Sequence, residues 1–125
     1  MASELYDKGM KVRREVLGDD YVDRALASVD EFTREFQQMV TEHAWGAIWT
    51  RPGLAKKQRS LINLAMLAAL NRPEEFELHF RGALNNGCTL EELKETLLQI
   101  AVYCGMPAGV SAFRIARKVL AESKS

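Results

Sequence analysis

The stretch NRPEEFELHFRGALNNG, residues 71–87, carries the side chains best suited to acid–base chemistry. On a helix, Arg72, Glu75 and His79 are spaced by three or four residues and therefore share one face. A carboxylate one turn away can orient the imidazole and raise its proton affinity, which suits a general acid acting near neutral pH. The alternative is an exposed Glu–His pair on a helix surface, and spacing alone favours that simpler interpretation.

Arginines are the second group of candidates, because a planar guanidinium can bind both oxygens of a carboxylate at once. Arg51 lies in a TRPG turn, Arg59 precedes an apolar run, and Arg72 comes just before the candidate helix. We expect Arg59 to be partly buried. Arg81 is more simply explained as an exposed partner of Glu77, which lies four residues earlier.

The tryptophans and cysteines have structural interpretations beside functional ones. Trp45 and Trp49 lie one helical turn apart and are candidates for a pocket wall, although such pairs more commonly pack in a core. Cys88 and Cys104 are the only cysteines, and their separation matches neither a redox pair nor a metal-binding quartet. We expect two reduced thiols packed as small hydrophobic residues, and no metal site.

The composition is that of a globular protein without a global charge. Of 125 residues, 47% are hydrophobic and 27% are charged, and 17 basic residues balance 17 acidic ones. No net field attracts nucleic acid or an anionic membrane. The longest nearly apolar run, LINLAMLAAL, has about half of the ~20 residues that a membrane span needs, and the N-terminus lacks the apolar region of a secretory signal. We therefore expect a soluble, cytoplasmic protein with no nucleic-acid or membrane partner.

Every segment has helical periodicity, and none shows the sustained alternation of a strand. The segment DEFTREFQQMVTEHAWGAIW is predicted to be one amphipathic helix, because its apolar residues recur at helical spacing. Together the segments predict an all-α, single compact domain over residues 1–125, built of about six short helices. The boundaries are marked by a Ser3 cap, Gly18, the TRPG turn, Pro73, Gly87, a Thr89/Glu92 capping box and Pro107.

Two successive segments, 60–70 and 97–104, are nearly devoid of charge. The part from Leu61 to Leu70 is apolar almost all round, so we expect it to be buried on more than one side. A small domain has a large surface relative to its volume, so it cannot bury two such helices by itself. The sequence therefore predicts a homo-oligomer, a trimer or larger, in which a partner subunit covers part of this surface.

Three phrases, WGAIWTRPGL, RSLINLAMLAALNRPEE and YCGMPAG, occur in order and resemble the 4-carboxymuconolactone decarboxylase family of protocatechuate breakdown. The likeness extends from about Tyr21 to the last helix. The wider superfamily also contains alkylhydroperoxidase-type proteins, which are small all-helical chains that assemble as trimers or hexamers. The resemblance thus implies an alkylhydroperoxidase-like fold, a homohexamer or trimer, and a lyase of the β-ketoadipate pathway of aromatic catabolism.

The redox branch of that superfamily carries a Glu one helix earlier and then a Cys-x-x-Cys-x-x-x-His motif. Laid onto this chain, the histidine corresponds to His79, and the two cysteines correspond to Arg72 and Glu75. The earlier Glu position falls on or near Ser60. Because peroxidatic chemistry needs a thiolate and a resolving thiol at those places, the resemblance favours decarboxylase over thiol peroxidase.

The substrate implied is a γ-lactone with two carboxylates, one of them on the ring carbon next to the ring oxygen. When that carboxylate leaves as carbon dioxide, its electrons reach the lactone carbonyl through the ring double bond, so no cofactor is required. The protein must bind carboxylates and protonate the resulting dienolate. The implied roles are an acid, His79, oriented by Glu75, and substrate contacts from Arg59, Arg72, Arg51, Trp45 and Trp49.

Three alternatives stay open at this point. A relative with the same fold can act on another carboxylated lactone or on a keto acid. A thiol-dependent, peroxidase-type redox protein of the alkylhydroperoxidase branch is the second. The third is a non-catalytic assembly module, which is favoured only if the surroundings of His79 are filled.

Overall fold

The computed structural model of the protein describes residues 3–123, and these form helices joined by turns and short loops, without a strand. The prediction of an all-α fold is therefore confirmed for this part of the chain. Contacts divide the chain into two units after Lys56. The single domain predicted over 1–125 stays a prediction, and the first two and last two residues of that range lie outside the described part.

Capping residues begin and end the helices of the first unit at the predicted places. Ser3 precedes the first helix, and its hydroxyl accepts a hydrogen bond of 3.0 Å from the backbone N–H of Tyr6. Gly18, at φ +90°, separates the first helix from the second. A residue with a Cβ atom would adopt this backbone conformation only with steric strain. In order, this unit contains α1 (Glu4–Leu17), α2 (Asp19–Ala27), α3 (Arg34–Met39) and a π-helix (Val40–Ile48).

The π-helix differs from the single amphipathic helix predicted for this segment. Its backbone bonds span five residues, as when the N–H of Trp49 donates to the carbonyl oxygen of Ala44 at 3.1 Å. The π-helix lies in close contact with α1. A Cβ built on Gly9 would overlap the carbonyl oxygen of Thr41 and lie 2.7 Å from the backbone nitrogen of Gly46. The wider turns therefore fit a backbone-to-backbone contact that the periodicity of one segment does not report.

The second unit follows the predicted boundaries closely. Pro73 occupies the first turn of its helix, and Gly87 follows the end of that helix at φ +85°. The capping box is present, since the Thr89 N–H donates to Glu92 Oε1 at 2.8 Å and the Glu92 N–H donates to Thr89 Oγ1 at 3.1 Å. The helices are α4 (Lys56–Ala69), α5 (Pro73–Asn85), α6 (Leu90–Cys104) and α7 (Met106–Ser123). The described residues thus hold seven α-helices and a π-helix, against about six helices predicted.

The core of the second unit lies where α5 and α6 pack against α7. Phe76 and Phe80 of α5 are almost fully buried in it, and burial of a side chain of this kind stabilises the fold by about 1.5–3 kcal/mol. Ser60 of α4 is fully buried and accepts a hydrogen bond of 2.8 Å from Nδ2 of Asn86, just beyond α5. These contacts hold α5 in a fixed position.

The apolar helices are less buried than the sequence predicted. In α4, Ser60 and Leu64 are the buried residues, whereas Ile62 and Met66 are 43% and 49% exposed, and Leu70, directly after the helix, is 66% exposed. Within the single chain, 61–70 is therefore not buried on more than one side, and its cover by a partner subunit stays a prediction. An apolar composition indicates which surface needs cover but does not indicate whether the same chain supplies it. Within residues 3–123, no helix is both long enough and apolar enough to cross a membrane.

Candidate functional site

His79 lies on α5 beside the stripe that faces the core. Phe76, Phe80 and Ala83 form that stripe, and His79 is three residues from the first and four from the last. The side chain of His79 is half-buried, and its Nδ1 atom is shielded from solvent. Because α5 is anchored by its core residues, the position of the imidazole is set by packing. Gly82 and Ala83, on the next turn of α5, are buried.

The pKa of His79 is lowered from its ordinary value. Burial is the main cause, since it disfavours the charged imidazolium, and the nearby carboxylate of Glu75 opposes the shift. The predicted effect of Glu75 is thus present, but the prediction of a net raised proton affinity is wrong for the chain without substrate. Sequence spacing correctly predicts that Glu75 raises the pKa of His79, but it does not reveal that burial lowers this pKa by more.

The arginine candidates differ in exposure. Arg59 on α4 is half-buried with its Nε atom shielded from solvent, which confirms the prediction of partial burial. Arg72 directly precedes α5 and is exposed, as is Glu75 in the first turn of that helix. Glu75 and His79 therefore lie one turn apart on α5, whereas Arg72 is the residue before the helix, with non-helical backbone angles, so the prediction that all three share a helix is confirmed for Glu75 and His79 and wrong for Arg72. Arg51 is exposed and belongs to the first unit, and its contact with substrate stays a prediction.

Trp45 and Trp49 stack on each other within the first unit. Their ring centroids are 4.9 Å apart at an interplanar angle of 28°, and the residues are only 5% and 6% exposed. This arrangement agrees with the interpretation of the pair as core. A contact with substrate, the other interpretation, stays a prediction.

The cysteines and the positions of the redox motif do not support thiol chemistry. Both cysteines are free thiols. Cys88 is buried, its Sγ donates to the carbonyl oxygen of Lys57 at 3.6 Å, and burial raises the pKa of the thiol, which disfavours a thiolate. Cys104 is exposed, so the expectation that it packs as a small hydrophobic residue is wrong. Within residues 3–123, no group of three or more His, Cys, Asp or Glu side chains could hold a metal ion.

Arg81 belongs to an ion-pair network on another side of α5. Its guanidinium lies 2.8 Å from Glu77 and 2.6 Å from Glu122 of α7, and Lys118 lies 3.1 Å from Glu77. The predicted pairing of Arg81 with Glu77 is confirmed. These side chains connect α5 to α7.

A cleft in the second unit includes one residue that the sequence had singled out, Arg72, together with several that it had not. Its volume is about 610 Å³. Arg114 and Ser111 of α7 line it, and in the sequence they look like ordinary polar positions of an amphipathic helix. The lining residues are Leu67, Ala68, Ala69, Asn71, Arg72, Pro73, Phe76, Cys104, Pro107, Ala108, Ser111, Ala112, Arg114 and Ile115.

Comparison with known proteins relates this chain to decarboxylases. The family model described as Carboxymuconolactone decarboxylase family matches residues 34–118. Nitrosuccinic acid decarboxylase npaB of Metarhizium robertsii is 47% identical over 116 residues, which cover 93% of this chain and 81% of that protein. A 4-carboxymuconolactone decarboxylase of Acinetobacter baylyi is 43% identical over 114 residues, covering 91% and 85%. Another of that name, from Pseudomonas putida, is 58% identical over 41 residues, or 33% of this chain and 85% of that sequence.

Proposed function

Because the chain belongs to the carboxymuconolactone decarboxylase family, we propose that it is a lyase that decarboxylates 4-carboxymuconolactone to the enol-lactone of 3-oxoadipate in protocatechuate catabolism. The observation that carries this proposal is the 43% identity, over 91% of the chain, to an enzyme with that name. The half-buried histidine on α5 supplies a group with the required chemistry.

The reaction breaks one carbon–carbon bond. The electron pair of that bond moves through the ring double bond to the lactone carbonyl oxygen as carbon dioxide leaves. A proton then adds to the ring carbon next to the carbonyl, and the enol-lactone results. The substrate supplies its own electron sink, so the reaction proceeds without a cofactor, and the protein contributes binding, orientation and the proton.

His79 donates that proton in the proposed mechanism. Burial keeps the imidazole neutral more readily than water does, but a bound dicarboxylate places negative charge nearby and favours the imidazolium. Substrate binding and uptake of the catalytic proton are thereby coupled. Glu75, one turn away, favours the same protonated form and orients the ring.

Cations hold the carboxylates of the substrate in this proposal. Arg59 and Arg72 are the first choice, because they lie on α4 and next to the start of α5, in the same unit as His79. Arg51, Trp45 and Trp49 are proposed as further substrate contacts. A guanidinium that binds a carboxylate equally in the ground and transition states affects KM more than kcat.

Nitrosuccinic acid is a second candidate substrate, favoured by the 47% identity to the decarboxylase named for it. In that acid, too, the leaving carboxylate is attached to a carbon next to an electron sink, here a nitro group. Loss of carbon dioxide again leaves an anion that must be protonated. The same acid and the same cations therefore serve either substrate.

The proposed enzyme is a cytoplasmic homohexamer or trimer. The support for assembly is the exposed apolar surface of the second unit, which includes Met66 of α4, Leu70 just after it, and Val102 and Tyr103 of α6. Sedimentation of the purified protein at micromolar concentration should give a trimer or a larger species. A monomer under these conditions would contradict the proposed assembly.

The test of the activity is direct. The purified protein is incubated with each of the two substrates, and carbon dioxide release is followed together with uptake of solvent deuterium at the protonated carbon. We expect rapid turnover of one substrate. A variant with both Cys88 and Cys104 replaced by Ala should keep most of that kcat, because neither thiol takes part in the chemical step, and any effect of Cys104, which lines the cleft, should be on KM. Loss of turnover in the folded double variant, or no turnover of either substrate by the native protein, would refute the proposal.

A further inference from the structure

The cleft of the second unit combines an apolar wall with a cationic end. Several of its lining residues, among them Ala68, Ala108 and Ala112, have small side chains that leave the cleft open. Its volume of about 610 Å³ is typical of a binding site for a small molecule. Arg72 enters it from the residue that precedes α5. Arg114 enters it from α7, where Ser111 lies one turn earlier on the same face.

The two arginines of this cleft have no counter-charge among the described residues. Within residues 3–123, the side chains of Arg72 and Arg114 form neither an ion pair nor a hydrogen bond, and no Asp or Glu is among the described residues that line the cleft. By contrast, Arg14 and Arg81 each pair with two carboxylates. Two guanidinium groups beside a serine hydroxyl form a set of donors that suits a carboxylate.

The two candidate substrates share one skeleton. In 4-carboxymuconolactone, the carbon that loses carbon dioxide also carries a carboxymethyl arm, and in nitrosuccinic acid the corresponding carbon carries the same arm. Each molecule therefore contains succinate, with one carboxylate that leaves and one that remains. The electron sinks, a lactone carbonyl and a nitro group, differ in shape and position. Whichever of the two is the substrate, the carboxylate that remains is a group by which the site can recognise it.

We infer that the cleft is the subsite for this carboxymethyl arm, in which Arg72 and Arg114 together bind the carboxylate that the reaction does not remove. This inference rests on the proposed function and deepens it, because it names Arg114 as a substrate-binding residue and succinate as the recognised skeleton. Ser111 adds a hydroxyl donor, and Phe76 provides apolar surface beside the methylene group.

The position of the cleft relative to His79 suits this role. Phe76, which lines the cleft, lies three residues before His79 on α5, so the two side chains are neighbours on one face. From Arg72 to His79 the rise along the helix is about 10 Å. Within this span, the substrate carboxylate would lie about 3 Å from the arginines, and the carbon that is protonated would lie about 3 Å from the imidazole. The distance that remains between these two contacts is sufficient for a substrate of this size.

Succinate itself is the probe, because it has both carboxylates and no electron sink and is therefore unreactive. Its binding to the native protein, in the assembly state found in solution, is measured by calorimetry beside that of propionate, which lacks the second carboxylate. Arg114→Gln removes one guanidinium of the cleft. Arg117→Gln is the matched control, since Arg117 is an exposed arginine one turn further along α7 that does not line the cleft.

We expect Arg114→Gln to weaken succinate binding at least tenfold and to raise KM for the substrate by a similar factor, with kcat within about threefold. Arg117→Gln should leave both constants within about twofold, and propionate should bind at least tenfold more weakly than succinate. Circular dichroism and sedimentation of both variants establish that they fold and assemble.

Three results would overturn the inference. Native affinity for succinate in Arg114→Gln would exclude the residue from the site, and equal losses in Arg114→Gln and Arg117→Gln would indicate a diffuse electrostatic effect. Weakened succinate binding with an unchanged KM would make the cleft a separate anion site. A native protein that binds succinate through Arg114 but decarboxylates neither substrate would refute the proposed function, while the binding role of Arg114 would stand.

Discussion

Two sides of α5 carry titratable residues whose pKa values are lowered for opposite reasons. Glu77 faces Arg81 and Lys118, and hydrogen bonds from these cations hold the pKa of its carboxyl below its usual range. His79, only two residues later, has its pKa lowered because burial disfavours the imidazolium. On one side, the fold stabilises a charge. On the other side, it disfavours one.

The comparison separates side chains whose charges are neutralised by other side chains of the protein from side chains whose charges, in our proposal, are neutralised by a ligand. Glu77, Arg81, Lys118 and Glu122 satisfy one another's charges between α5 and α7. In the cleft, Arg72 has no such partner among residues 3–123. In the proposed complex, a dicarboxylate supplies a negative charge there and favours protonation of His79. The first set should therefore matter for stability, and the second for catalysis and binding.

The largest effect is expected from His79→Ala. Removal of a positioned acid should lower kcat by about 10²–10⁴, with little change in the folded state. Stopped-flow or spectrophotometric turnover at saturating substrate measures this effect. His43→Ala is the matched control, because the only other histidine of the chain is exposed on the π-helix. Near-native kcat in folded His79→Ala would reduce His79 to a surface partner of Glu75.

Arg72→Gln tests the unpaired end of the helix. We expect KM to rise about tenfold or more with kcat little changed, because a hydrogen-bonded contact between charged groups is lost on substrate binding. Arg81→Gln removes a paired arginine from the same helix and should leave KM within about twofold. Steady-state kinetics of both variants decide the comparison. Equal effects on KM would mean that pairing within the chain does not distinguish the two arginines.

Acidification should reveal the lowered pKa of His79 as a loss of stability. The unfolded chain binds a proton below about pH 6.5, whereas folded His79 binds it only at lower pH, so the free energy of unfolding falls as pH drops through that interval. The slope from one such group is at most about 1.4 kcal/mol per pH unit. His79→Gln should flatten this part of the curve in urea unfolding measured between pH 7 and 5. An unchanged curve would contradict the lowered pKa.

Glu77→Gln should have the smallest effect and should act on stability alone. The loss of partly exposed ion pairs should cost about 0.2–1 kcal/mol of unfolding free energy, because solvent screens such pairs. Since the pKa of Glu77 is lowered, its contribution is present above about pH 4.3 and is lost as pH falls through the folded-state value. Urea unfolding at pH 7 and turnover of the same sample measure both quantities. A tenfold change in KM would place Glu77 in the substrate site instead.

Local signals in the sequence were sufficient for most helix boundaries. The Ser3 cap, the Thr89/Glu92 box and the turn at Gly87 depend on neighbours within a few residues, and all were confirmed. The π-helix could not be predicted, because i→i+5 bonds arise where the Gly9 backbone meets Thr41, a contact between distant segments.

The candidate site divides in the same way. The common helix of Glu75 and His79 follows from spacing, with Arg72 just before it, and the partial burial of Arg59 follows from its place before an apolar run. The net direction of the His79 pKa and the place of Arg114 in the lining of the cleft depend on how helices distant in sequence surround a space. Periodicity identifies which residues share a face, and only packing determines which faces enclose a cavity.

The contact between α1 and the π-helix determines which amino-acid substitutions the protein tolerates at its two glycines. A Cβ at Gly9 would overlap the carbonyl oxygen of Thr41, and one at Gly46 would overlap that of Leu5. These obstacles are main-chain atoms that cannot rotate away, so even alanine requires the helices to separate. In a library of random single substitutions selected for function, both codons should lose almost every missense change. Gly53, around which a built Cβ meets no described atom within 4 Å, should accept many.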